Sequence, residues 1–127
     1  MSDDTVIDEN EDIKSKFITF DEFSRIKLKI GKIMKAENIP KMKKLLKVIV
    51  DIGNKEIREI VVGAAMHYEP NELEGKIVVV CTNLYPKKLG KILSNGMILA
   101  ADGVESNKPI FLTIENEKDV NIGSDIH

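Results

Sequence analysis

The side chains best equipped for chemistry in this sequence are lysines. Between Arg25 and Lys47 there are nine positive side chains and one acid, Glu37. A second basic run, Asn83 to Asn95, carries Lys87, Lys88 and Lys91 around Tyr85, Pro86 and Gly90. Ammonium groups at that density neutralise phosphates, and Tyr85 among lysines is placed to stack on a base or ribose. The competing reading is the solvated face of a lysine-rich protein, and charge alone rates the two equally. The net charge of -2 conceals this basic body, since it divides as -4 over residues 1–20, +5 over 21–104 and -3 over 105–127.

Catalysis needs convergent nucleophiles, acids, bases or metal ligands, and their spacings are missing. The sequence has no Gly-x-x-x-x-Gly-Lys loop, paired-cysteine spacing, His-x-x-x-His or Gly-x-Ser-x-Gly elbow. His67, beside Tyr68, reads as a turn or packing residue. Glu69, Glu72 and Glu74 read as solvated charge in a turn segment. The single cysteine, Cys81, closes the apolar run Ile77 to Val80 and reads as a buried, inert thiol. Met34, Met42, Met66 and Met97 lack the spacing of a Met-rich groove. The expectation is a chain that is not an enzyme, with no metal and no cofactor. Ordinary single-strand binders use several aromatic platforms, whereas aromatic content here is 5%. Phosphate contacts and shape, the means by which folded RNA is mostly read, therefore carry more weight.

Elements must position these groups. The 127 residues and 43% hydrophobic content suit one domain with one small core. No segment approaches the roughly 18 apolar residues of a membrane span, and the N-terminus is acidic, so a cytoplasmic protein with no membrane partner is expected. Residues 1–16 form an acidic tail expected to be disordered, followed by a single domain over 17–127. Thr19 and Glu22 have capping-box spacing, which predicts a short helix over Phe20 to Arg25. Ile26, Leu28 and Ile30 alternate with lysines as a half-buried strand, with a bulge or corner expected at Gly31. Pro40 is expected to end this strand. A basic loop, Lys41 to Lys44, then precedes strands over Leu45 to Ile52 and Ile57 to Val62, with a turn at Gly53-Asn54. A helical turn is expected near Glu69 to Leu73. A central strand follows over Lys76 to Thr82, then a basic loop over Asn83 to Asn95, and further strands over Met97 to Ala101 and Pro109 to Ile114. Five or six short strands with glycines at corners predict an all-β fold. The expected form is a five-stranded OB-type barrel with a short N-terminal helix and extra C-terminal strands, a small sandwich being the alternative.

Four segments carry a family likeness: Ile30-Gly31-Lys32-Ile33 with Ala36-Glu37; Pro40 with Lys44-Leu45; Arg58-x-Ile60-Val61-x-Gly63; and Asn83-Leu84-x-Pro86-x-Lys88-Leu89 leading into Ser94-x-Gly96-Met97-x-Leu99-Ala100. Over Phe20 to Gly103 the chain resembles the tRNA-binding OB-fold family that includes the β subunit and C-terminal domain of methionyl-tRNA synthetase. The resemblance implies a tRNA partner read by shape and phosphate backbone. It also implies either a free-standing homodimer or an accessory subunit of methionyl-tRNA synthetase. Lys44, Asn83, Lys88, Ser94 and Met97 match positions that the family places on or beside its RNA-binding face, and the neighbouring Lys43, Lys87 and Tyr85 extend that set. Asn83 and Ser94 are compatible with hydrogen bonds to a ribose hydroxyl or phosphate oxygen. Three positions depart from the pattern. Lys43 stands where an aspartate is usual and Leu93 where a glutamate is usual, which raises local positive potential, while Val62 stands where a serine is usual and removes a polar contact. The alternative function is a dimeric chaperone-like OB-fold protein holding unfolded polypeptide, marked by an exposed apolar patch. Phe17, Phe20, Phe23 and residues after Phe111 are the candidate dimer material.

Overall fold

The capping box forms as its spacing predicts. The Glu22 backbone N–H donates to Thr19 Oγ1 at 3.0 Å and the Thr19 N–H donates to Glu22 Oε1 at 2.8 Å, which starts helix α1 (Phe20–Ser24). Arg25 is the cap of that helix and not its last turn. These details come from a computed structural model, which describes residues 16–127. The tail expected over 1–16 lies, apart from Lys16, outside the described residues.

Strand β1 (Leu28–Ile39) is the spine of the sheet. Its first residues pair with β4 (Ile77–Cys81) and its later ones with β2 (Met42–Asp51), which in turn pairs with β3 (Ile57–Val62). Gly31 does not bulge. It pairs in register with Val78, and a β-carbon there would lie 2.9 Å from both Val50 Cγ1 and Val80 Cγ2. The glycine is needed because β2 and β4 side chains converge over the bent strand. The register slip comes later, between Ile33 and Lys35, and leaves Met34 exposed.

The basic loop expected over Lys41 to Lys44 is instead a two-residue turn. Ile39 pairs with Met42 across Pro40 and Lys41, so Lys43 and Lys44 belong to β2. Lys41 takes φ +68°, the left-handed conformation that so short a connection requires. At the other end of β2, residues 52–56 reverse the chain with Gly53, Asn54 and Lys55 all at positive φ. Helix α2 (Pro70–Leu73) supplies the helical turn expected there, and its Leu73 is fully buried against the barrel core.

The segment read as one basic loop, Asn83 to Asn95, contains a hairpin: β5 (Lys87–Leu89) pairs with β6 (Ile92–Ser94). Strand β7 (Met97–Ile98) then pairs with β4. Strands β8 (Ala100–Asp102) and β9 (Pro109–Phe111) form a second hairpin, and β10 (Asp125–Ile126) returns to β1. The main sheet therefore runs β3-β2-β1-β4-β7. Its ends meet where the Asn95 N–H donates to Glu59 O at 2.8 Å and the Val61 N–H donates to Ser94 Oγ at 3.0 Å. One sheet curled on itself is the expected OB-type barrel and not the alternative sandwich. The ten strands among the described residues exceed the expected five or six because the C-terminal half is cut into two- and three-residue pieces.

The curl encloses one core. Leu46, Val48 and Val50 alternate inward along β2 and meet Ile33, Ile60, Val78, Val80 and Ile98. Burying each such aliphatic side chain contributes about 1.5–3 kcal/mol. Tyr68 is not a free loop residue. Its ring lies 5.5 Å from Phe111 and its hydroxyl donates to Pro109 O at 2.8 Å.

Candidate nucleic-acid interface

Two turns come together at one end of the barrel. Gly90, at φ +63°, lies in the β5–β6 turn, and a β-carbon on it would sit 3.1 Å from Met42 Cε at the start of β2. That contact gathers Lys41, Lys43 and Lys44 from one hairpin and Lys87, Lys88 and Lys91 from the other, all six exposed. Neighbours along a strand project from opposite faces, so Lys43 and Lys44, like Lys87 and Lys88, spread their charges around the tips.

None of these six cations is in an ion pair among the described residues. Among the described residues the ion pairs are Lys29–Asp125 at 2.8 Å, Lys47–Glu37 at 3.4 Å and Arg58–Glu56 at 2.7 Å. Strand β6 brings Ser94 opposite Lys87 and Leu93 opposite Lys88, with no acid across from either. Tyr85 stands beside the hairpin with 98% of its surface exposed, and Leu84, Leu93 and Met97 are exposed in the same stretch of chain. An array of exposed ammonium groups with one exposed aromatic ring and a few apolar side chains can hold a phosphate backbone and cover a base or ribose.

The two uncharged polar residues of the predicted site have partners inside the fold. Asn83 Nδ2 donates to Arg25 O at 2.6 Å, and its Oδ1 accepts from the Lys27 N–H at 2.9 Å. Ser94 is 8% exposed and its hydroxyl accepts the Val61 N–H that closes the barrel. Both side chains position the hairpin: Asn83 anchors its entry to the segment after α1, and Ser94 anchors its exit to β3.

Sequence reasoning places Arg58 in a family-like segment but gives it no role in the site. Its side chain is 15% exposed, and its Nη1 donates to Thr82 O at 2.9 Å and to Asn95 Oδ1 at 3.2 Å. The signal is an arginine that opens the segment Arg58-x-Ile60-Val61-x-Gly63, amid apolar residues and glutamates. Cys81 is buried, as expected, with Sγ 3.8 Å from Asn83 Oδ1. His67 sits in the turn after Ala64, its N–H donating to Ala64 O at 3.1 Å. Among the described residues no group of three or more His, Cys, Asp and Glu side chains is arranged to hold a metal. At the far end of β1, the Lys29 ammonium donates a hydrogen bond to Asp125 and holds its carboxyl below the usual carboxylate range.

A groove of about 420 Å³ runs along α1 and β10, lined by Phe20, Phe23, Ile26, Leu28 and Ile126 among others. Of its lining, Phe20, Phe23 and Ile26 are exposed, Phe20 by 80%, and Phe17 and Ile18 just before α1 are exposed as well. Among the described residues no helix is long and apolar enough to cross a membrane.

The chain is similar in sequence and fold to known proteins. Residues 28–125 match the family model described as "Putative tRNA binding domain". A methionine–tRNA ligase from Methanococcoides burtonii is 47% identical over 110 residues, which cover 87% of this chain and 16% of the ligase. The chain thus spans about a sixth of that relative's length. A methionyl-tRNA-synthetase-related protein from Pyrococcus horikoshii superposes with a TM-score of 0.78 at 40% identity, over 87% of this chain and 98% of that one. The CsaA chaperone of Picrophilus torridus superposes with a TM-score of 0.77 over 87% of this chain and all of that one; at 21% identity this likeness concerns the fold.

Proposed function

The chain belongs to the tRNA-binding domain family, and from that premise we propose that it holds tRNA by shape and phosphate backbone at the end of the barrel where the β1–β2 and β5–β6 turns meet. The observation that carries this reading is the set of six exposed lysines on two hairpins whose turns touch, none of them in an ion pair among the described residues. Lys43, Lys44, Lys87 and Lys88 take phosphates, Tyr85 stacks on a base or ribose, and Met97 adds apolar contact beside them. Asn83 and Ser94 stand beside the RNA and set the hairpin's angle. Titration with tRNA at two salt concentrations tests the proposal. About six phosphate contacts give a log affinity falling by about 0.7–0.9 per contact for each decade of salt, and flat or absent binding rejects it.

The working unit in this reading is residues 17–127 as one domain with a C-terminal extension, a cytoplasmic module without catalytic activity or cofactor. It acts as a homodimer joined through Phe17, Phe20, Phe23 and the chain after Phe111, or as an accessory subunit of methionyl-tRNA synthetase. The exposed groove beside α1 supports the dimer, because apolar surface of that kind gains most from being covered. Sedimentation equilibrium reads the assembly state, and co-purification with the synthetase reads the partnership. The same groove favours a second reading, in which the protein holds unfolded polypeptide there. A prevented-aggregation assay without any rescue rejects that second reading.

A further inference from the structure

Strands β5 and β6 have three residues each, and a two-stranded hairpin is marginal in water unless something holds its base. The usefulness of Lys87, Lys88 and Lys91 therefore depends on what fixes the two feet of the hairpin, Thr82 before it and Asn95 after it. We infer that Arg58 is a positioning residue of the tRNA interface, gripping both feet with one guanidinium while making no contact with the RNA. This inference rests on the tRNA-binding reading above.

The geometry is specific. Arg58 Nη1 donates to Thr82 O at 2.9 Å, to Asn95 Oδ1 at 3.2 Å and to Asn95 O at 3.4 Å. Its Nε donates to Glu56 Oε2 at 2.7 Å, which sets the plane of the group. Among the described side-chain hydrogen bonds, Arg58 alone reaches both feet; the neighbouring Asn83 and Ser94 each fasten the chain elsewhere. With Nη1 and Nε taken up by these acceptors and 15% of the side chain exposed, little of the guanidinium is left for a phosphate. A planar, always-charged fork suits this bridge, whereas a lysine offers a point donor on a flexible stem.

The test uses the full chain, bulk tRNA as the probe, and two variants, Arg58→Met and Arg58→Lys. Three quantities are read: tRNA affinity across a salt series, amide exchange over residues 84–93, and amide exchange over β1 to β3. Arg58→Met is expected to weaken tRNA binding about 3- to 10-fold, because a hairpin in its competent arrangement one-third to one-tenth of the time lowers affinity by that fraction. The salt slope stays unchanged, since every phosphate contact is still made. Exchange accelerates over 84–93 and not in β1 to β3, and Arg58→Lys restores part of the affinity and protection. Unchanged affinity overturns the inference. So does a slope reduced by about 0.7–0.9, which marks Arg58 as a direct phosphate ligand, or a loss of protection throughout β1 to β3, which marks a general stability role. If the unaltered chain fails to bind tRNA, the tRNA reading falls, and unchanged exchange over 84–93 in the variants separately rejects the clamp.

Discussion

Met42 and Gly90 make the contact that brings the two lysine-bearing turns together: a β-carbon on Gly90 would lie 3.1 Å from Met42 Cε. The crowding itself is minor, because a methionine terminus moves aside easily. The backbone is not so forgiving. Gly90 has φ +63°, and an L-residue with a side chain loses about 1–2 kcal/mol in that region. Gly90→Ala is expected to lower stability by that amount in urea denaturation and to weaken tRNA binding. Gly90→Asn is expected to lose less, since asparagine tolerates the left-handed region. An alanine variant as stable as the parent contradicts the argument.

Lys44 and Lys88 occupy different hairpins and neither has an acidic partner among the described residues. Lys44→Ala and Lys88→Ala should each remove one phosphate contact, lowering the salt slope by about 0.7–0.9. Stability should change by less than about 0.5 kcal/mol, as at other exposed sites. Phosphates carry no sequence, so affinity should fall alike for different tRNAs. A loss restricted to one isoacceptor in filter binding contradicts recognition by shape.

Features decided across the barrel were not legible in the sequence, and local ones were legible where a capping or turn signal marked them, unlike the tight hairpins at Pro40-Lys41 and Gly90-Lys91. The Thr19–Glu22 box could be read because both partners lie in one turn. Gly31 was visible as a break in alternation, but its cause is the meeting of Val50 and Val80 from two other strands. Lys87, Lys88 and Leu89 have no strong β-propensity and form a strand because Ile92 to Ser94 pairs with them, so the hairpin read as a loop. The lysines of the candidate site could be found because exposure and charge need no partner. The parts of Asn83, Ser94 and Arg58 depend on Arg25, Val61 and Thr82, which lie far along the chain.

Ser94 separates positioning from contact. Its hydroxyl accepts the Val61 N–H at 3.0 Å beneath the surface, so Ser94→Ala leaves that donor unpaired. An unsatisfied buried donor costs about 1–3 kcal/mol, and denaturation should show a loss of that size. Exchange should accelerate at Val61, and at Asn95 next to it, whose own N–H closes the barrel onto Glu59. Ser94→Thr keeps the acceptor and should retain more of the stability than alanine does. A Ser94→Ala protein with unchanged stability and reduced tRNA affinity reverses the assignment, making the hydroxyl an RNA contact.

Asp125 and Lys29 join the last strand to the first, and their ion pair predicts a pH dependence with a definite sign. The Lys29 hydrogen bond, helped by its charge, lowers the Asp125 pKa below its ordinary value of 3.8. A depressed pKa in the folded state means that the unfolded chain takes up the proton first as the solution is acidified. The pair therefore contributes fully at pH values above 3.8, and its contribution fades as pH falls from there through the folded-state value. Because the carboxylate is exposed, the contribution is small and should shrink further in high salt. Asp125→Asn removes the titrating group, so its stability curve should be flatter than the parent's below about pH 4 and offset from it by a constant amount near neutrality. Thermal melts of both proteins between pH 3 and pH 7 measure the difference. Two curves that stay parallel through the acid limb would show that the ion pair with Lys29 does not hold β10 in solution.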